Sequence, residues 1–276
     1  MDFGFSLHPK WLTDCTREEF LAPLKAAGLN ALEFTLHPGT EEWNSMSALA
    51  EECVRAGYRC HFHAPYQPPF TIAGFATDKR DAIQRAYAPA FEFIERMARE
   101  QQYDPAVVIH GATNASPRAE LRRDTEEFLL WALEQTHRSR LMLENLPHKP
   151  PFVRTGESRN EVLDIVQAMN HPRLGICWDL GHDTLLGYTE LPDEAFLRAV
   201  RHVHIHDINE AREDHFPLVY GNVPWQADLR ALAGAGFDGA AIMEINGYRA
   251  QKVERLHERM AESFAAMREV QEQGKR

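Results

Sequence analysis

No stretch of this chain approaches the ~18 consecutive apolar residues that a membrane-spanning helix needs, so membrane insertion is not expected. Cysteine is sparse: Cys15, Cys53, Cys60 and Cys177 lie far apart without CxxC spacing. They read as small buried thiols of a reducing compartment and not as a disulfide frame. The opening residues, MDFGFSLHPK, have no basic start, long apolar core or small-residue cleavage site, and a cytoplasmic protein is expected. Basic residues are outnumbered, 30 Lys and Arg against 41 Asp and Glu, giving a formal net charge of −11. That balance argues against broad nucleic-acid affinity, although bound divalent cations would cancel part of it where a phosphate would lie. Low-complexity tracts and Pro/Gly/Ser linkers are missing too. With 276 residues and 44% apolar content, the chain is expected to form a single domain over residues 1–276, close to the ~250 residues of an α/β barrel.

What is present is a regular alternation of short apolar runs and helical patterns. Strands are expected near residues 3–7, 31–34 and 58–63, then ending at His110, Glu144, Asp179, His206 and Glu244. Between them, Thr16 with Glu19 and Ser158 with Glu161 form capping-box patterns that open two helices. In residues 78–100, Ile83, Ala86, Ala90, Phe93, Ile94 and Met97 recur at helical spacing. Eight βα units in this order predict a parallel sheet with helices outside, closed as a single (β/α)8 TIM barrel. Two proline- and aromatic-rich loops, residues 64–75 and 145–152, follow strands and are expected at the barrel mouth, as lids or as packing.

Six successive apolar runs end in a residue able to hold a metal ion: His63 (CHFH), His110 (VVIH), Glu144 (LMLE), Asp179 (GICWD), His204 (HVHIH) and Glu244 (AIMEI). Carboxylates aimed at one axis repel, and burying them without a cation costs more than packing returns. A divalent ion removes that conflict. In the seventh strand His202, His204 and His206 share one face. Here His204 is the expected ligand, His206 a contact of ligand or substrate, and His202 a satisfied core histidine. Asp179 and His182 are one turn apart, and Glu213 and His215 follow in the next loop at i, i+2 spacing.

The segments LENLP, HPRLGICWDLGH, HVHIHDI with a following EDH, and FDGAAIMEI resemble the xylose isomerase-like barrel superfamily. Its members include sugar and sugar-phosphate isomerases and epimerases, and also endonuclease IV. The resemblance implies one divalent ion held by Glu144, Asp179, His204 and Glu244, with His182 touching substrate. In the endonuclease IV branch the corresponding set is larger and surrounds three zinc ions: His63, His110, Glu144, Asp179, His182, His204, Glu213, His215 and Glu244. The second βα loop, TLHPG, lacks that branch's basic, aromatic DNA-penetrating segment, which argues against nucleic acid as partner.

Two chemistries therefore arise from one constellation. With one ion, a sugar or sugar phosphate is isomerised or epimerised through a metal-stabilised enediolate, and Glu144 and Glu244 are the catalytic proton carriers. With two or three ions the same residues would instead activate a shared water for phosphoester hydrolysis. Tyr66, His182, His206 and Trp178 are the expected substrate contacts. Imidazole and carboxylate donors suit Mn, Zn, Fe or Co, one to three ions per chain. A homo-oligomer is left open.

Overall fold

The computed structural model describes residues 1–273. Eight barrel strands alternate with helices, apart from a two-stranded pairing of Thr113–Asn114 with Val153–Arg154: β1 (Asp2–Ser6), β2 (Ala31–Thr35), β3 (Arg59–His63), β4 (Ala106–Ile109), β5 (Arg140–Glu144), β6 (Leu174–Asp179), β7 (Val200–Ile205) and β8 (Ala240–Met243). Their hydrogen-bonded order is β1, β8, β7, β6, β5, β4, β3, β2, closed into a barrel. This is the expected (β/α)8 architecture. The helices are α1 (Arg17–Ala27), α2 (Trp43–Arg55), α3 (Arg80–Gln101), α4 (Arg118–Gln135), α5 (Arg159–Met169), α6 (Leu180–Leu185), α7 (Glu194–Ala199), α8 (Trp225–Gly234), α9 (Gly247–Ala250) and α10 (Leu256–Gln273). Among the described residues no helix is long and apolar enough to cross a membrane, and no disulfide forms; Cys53, Cys60 and Cys177 are buried.

The chain divides into two compact units, one of residues 1–33 with 178–276 and the other of residues 34–177. In the first, β1 pairs in parallel with β8 and β2, and β8 pairs with β7. In the second, β4 pairs with β3 and β5, and β5 with β6. Strand alternation sorts the side chains into two faces. On one face of the second unit Ala106, Val108, Met142 and Cys177 form an apolar cluster. Two residues past Met142 and Cys177 on the same strands come Glu144 and Asp179, each on the face of its apolar predecessor, and His110 follows Val108 by two residues just past the end of β4. The first unit repeats the scheme: Ala31, Ala240 and Ile242 cluster, followed at the same parity by Glu33 and Glu244.

Local signals place the elements. Thr16 caps α1 as expected: its hydroxyl accepts the Glu19 N–H at 3.2 Å, while the Glu19 carboxylate accepts the Thr16 N–H at 2.8 Å. At α5 only half of the expected box forms. Ser158 accepts the Glu161 N–H at 3.2 Å, but the Glu161 carboxylate instead accepts from Gly156 N–H and from Arg118, both at 2.8 Å. A charged guanidinium within reach outcompetes a second cap bond. Helices α6, α7 and α9 were not expected from the sequence, since four to six residues are too few to show a helical period.

Candidate metal centre

In the unit of residues 34–177, β3 and β5 end on His63 and Glu144, and His110 follows β4 by one residue. His63 Nδ1 lies 2.8 Å from the Ala64 carbonyl and donates to it. The proton is thereby held at Nδ1, and Nε2 becomes the electron-pair nitrogen, 3.5 Å from Glu144 Oε2. His110 Nε2 meets the same oxygen at 2.8 Å. Donor atoms of His63, His110 and Glu144 all lie within 4.8 Å of one another. Tyr66 covers both imidazoles, with ring centroids 4.8 Å from His63 and 4.5 Å from His110. Arg154 is the cation of this cluster: burial pulls its pKa down, against the attraction of Glu144 and Glu157. Gly156 permits the close packing here. Its φ is +106°, and a Cβ would lie 2.8 Å from the Glu144 carbonyl oxygen.

In the other unit, Asp179 ends β6 and caps α6. Its Oδ1 accepts the His182 N–H at 2.7 Å and faces His206 Nε2 at 3.1 Å. His206 Nδ1 accepts the His215 N–H at 3.0 Å, which turns Nε2 toward Asp179. Asp179 Oδ2 then faces His182 Nδ1 at 3.4 Å and His204 Nδ1 at 3.9 Å. Glu244 Oε2 stands 3.1 Å from His204 Nδ1 and 3.4 Å from His215 Nε2. Two ligands bound to one ion at about 2.0–2.2 Å are themselves about 3–3.5 Å apart. The His204–Glu244, His215–Glu244 and His182–Asp179 spacings fall in that range and the His204–Asp179 spacing is wider, so this mixed imidazole and carboxylate set has the donors and the approximate spacing to hold a divalent ion. Burial raises the pKa of Glu244, but the neighbouring His204 and His215 imidazoles outweigh it, holding the carboxyl well below its usual range. Glu244 is therefore ionised, the form that binds a cation or accepts a proton.

Three parts of this unit differ from expectation. Glu213 does not join the cluster: its carboxylate accepts from Asn209 Nδ2 at 2.7 Å and lies 3.7 Å from Lys252 Nζ, with the side chain 40% exposed. Its neighbour Asp214 takes the position beside His215, 3.0 Å from Nδ1, and is itself gripped by Arg249. Trp178 is fully buried and directed away from Asp179 by strand alternation. Its Nε1 donates to Asp183 at 3.0 Å and its ring packs edge-on against Phe196. It therefore cannot serve as the expected substrate contact. His206 is also fully buried, stacked 4.2 Å from His215, and acts on Asp179 instead of reaching outward.

Of the two expected lids, the first is largely packing: Phe70 and Phe75 are buried against Tyr87 and Phe128. In the second, Phe152 is exposed. The residue that sequence reading missed is Glu33. It is buried on β2, with Oε2 2.8 Å from His202 Nε2 and Oε1 3.0 Å from His204 Nε2. Burial alone would raise its pKa, yet His204 and His202 and their two imidazole hydrogen bonds hold it far below the carboxylate range. An acid inside the apolar run ALEFT was the available signal.

The fold and this geometry can be set beside known proteins. A structure described as a D-tagatose 3-epimerase-like protein superposes with a TM-score of 0.72 at 20% identity, covering 100% of both chains. D-psicose 3-epimerase from Clostridium cellulolyticum H10 gives a TM-score of 0.68 at 13% identity, over 98% of this chain and 99% of that one. The IOLI protein, solved with a bound zinc atom, gives 0.67 at 14%, over 99% of each. Identities this low show a shared fold. An uncharacterized protein of Methanocaldococcus jannaschii is 29% identical over 111 residues, which is 39% of this chain and only 37% of that relative's length. The family model for the xylose isomerase-like TIM barrel matches residues 21–270. Barrel order, strand-end donors and a match over most of the sequence agree: the chain belongs to the xylose isomerase-like TIM barrel family.

Proposed function

We propose that the protein is a divalent-metal-dependent isomerase or epimerase of a sugar or sugar phosphate. The observation that carries this reading is the convergence of Asp179, His204 and Glu244, with His204 Nδ1 3.1 Å from Glu244 and 3.9 Å from Asp179. Glu144 completes the proposed set. Asp179, His204 and Glu244 stand at or next to the carboxyl ends of β6, β7 and β8, and Glu144 ends β5. When bound, the ion supplies Lewis-acid polarisation of a substrate carbonyl and the adjacent hydroxyl. The chain's own residues do the rest. One of Glu144 and Glu244 removes the proton beside the carbonyl, the other returns it, and His182 holds a substrate hydroxyl. The shared fold with D-psicose 3-epimerase and with the D-tagatose 3-epimerase-like protein supports this reaction class.

The test is metal content per chain together with proton exchange. Ketoses and ketose phosphates incubated with manganese-loaded protein in heavy water should take up deuterium beside the carbonyl. Glu244→Gln should lower that rate by about 10²–10⁴-fold. Absence of exchange across the panel, or full exchange by Glu244→Gln, overturns the reading.

The compact His63, His110 and Glu144 cluster favours a second reading. A one-ion isomerase does not need these two imidazoles, whereas a polynuclear phosphoesterase does. Two or three ions per chain with cleavage of an abasic duplex would select it. The engagement of Glu213 by Asn209 and Lys252 takes one donor from the set that reading requires.

A further inference from the structure

Each oxygen of the buried Glu33 carboxylate meets a different imidazole, His202 at one and His204 at the other. His204 Nε2 is thus taken by Glu33, while Nδ1 faces Glu244 and Asp179. We propose that Glu33 is a positioning residue that makes His204 an Nδ1 metal ligand, an inference resting on the metal-site reading above. A neutral imidazole has one N–H and one electron pair. An ionised carboxylate only accepts, so the nitrogen facing it must carry the proton and the opposite nitrogen must offer its pair. Glu33 therefore selects the tautomer, fixes the ring rotation and makes the imidazole a stronger donor. His202, expected only as a satisfied core histidine, acquires a purpose. It binds the second oxygen at 2.8 Å and holds the carboxylate plane against rotation.

The competing use of the same atoms is a separate ion among Glu33, His202 and His204, whose donors also lie within 4.8 Å of one another. Both oxygens of Glu33 already stand at hydrogen-bond distance from the imidazoles, 2.8 Å from His202 and 3.0 Å from His204. An ion there would also take His204 Nε2 away from its proton. The geometry favours the hydrogen-bonded arrangement.

The experiment uses the full chain with nitrogen-15-labelled histidine, loaded with zinc as a diamagnetic probe. Long-range proton–nitrogen spectra should show His204 protonated at Nε2 and zinc-shifted at Nδ1. Chelator competition should show Glu33→Gln binding zinc about 10–100-fold more weakly than wild type. Glu33→Asp should recover part of the loss, and the zinc-free variants should keep the wild-type circular dichroism. Zinc at His204 Nε2, a second zinc on Glu33, or Glu33→Gln binding within twofold of wild type overturns the proposal. If Glu33→Gln does not fold, the wild-type spectrum still decides. Zinc at Nδ1 with undiminished affinity in Glu33→Gln refutes the role of Glu33 alone, whereas wild type that takes no zinc at His204 refutes the metal reading with it.

Discussion

Gly181 is a glycine because His206 fills the space its side chain would need: a Cβ there would lie 2.0 Å from His206 Cε1. Gly181→Ala should therefore displace the ring that stands against Asp179 and weaken zinc or manganese binding by about 10–100-fold, read by chelator competition. A purely structural role is assigned to Glu95 of α3, which accepts from Ser139 N–H at 3.0 Å, Ser139 hydroxyl at 2.7 Å and Arg138 N–H at 3.1 Å. Burial pushes its pKa up, but these hydrogen bonds push it down further, and the net shift is downward. A carboxyl with a depressed folded-state pKa stabilises fully above its unfolded value, and that contribution is lost as the pH falls through the folded value. Glu95→Gln should thus cost about 1–3 kcal/mol at neutral pH. The gap to wild type should close below about pH 4, as measured by denaturant unfolding across pH. Residues at strand ends were legible because each interrupts an apolar run. Glu33 was not, because it sits inside one and only its partners on a strand some 170 positions away reveal its use.

At the level of elements, the loop from β7 to α8 is organised by Asp207, whose carboxylate accepts from the N–H groups of Ile208, Tyr220, Gly221 and Asn222. Asp207→Ala leaves four backbone donors without that acceptor and should cost about 2–3 kcal/mol locally. Hydrogen exchange at Tyr220, Gly221 and Asn222 should accelerate by roughly 30–150-fold, the equivalent of that loss. Unchanged protection would show that the loop is held elsewhere. Strand and helix order was readable almost throughout, since β-runs and helical periods differ in repeat length. The short helices were not: α6 and α7 announce themselves only through their Asp179 and Asp193 caps. The sequence reading also extended β4, β7 and β8 one residue too far, to His110, His206 and Glu244. Turning away from the ladder at those points leaves the side chains free to be held by loop partners such as His215.

For the whole molecule, the acidic balance, net −11, fits a protein that offsets part of its charge with bound cations. An ion present at 1,000 times its dissociation constant adds about 4 kcal/mol to folding stability. Stripping divalent ions with a chelator should therefore lower Tm, and manganese or zinc should restore it. A Tm unaffected by both treatments would count against a resident ion. Retention on duplex DNA at physiological salt is expected to be negligible. The fold class was legible at this scale because eight units repeat, but which donors would converge was only partly so. Glu213 and Trp178 were misplaced because loop path and strand facing are settled by neighbours far off in the chain. One consequence concerns how this strand can change over generations. His202, His204 and His206 depend on a two-residue repeat, so inserting a single residue between Val200 and His204 would rotate downstream imidazoles into the helix layer and drive Val203 or Ile205 among the carboxylates. Length variation here should be confined to the loop past Asp207, and β7 should be inherited at constant length.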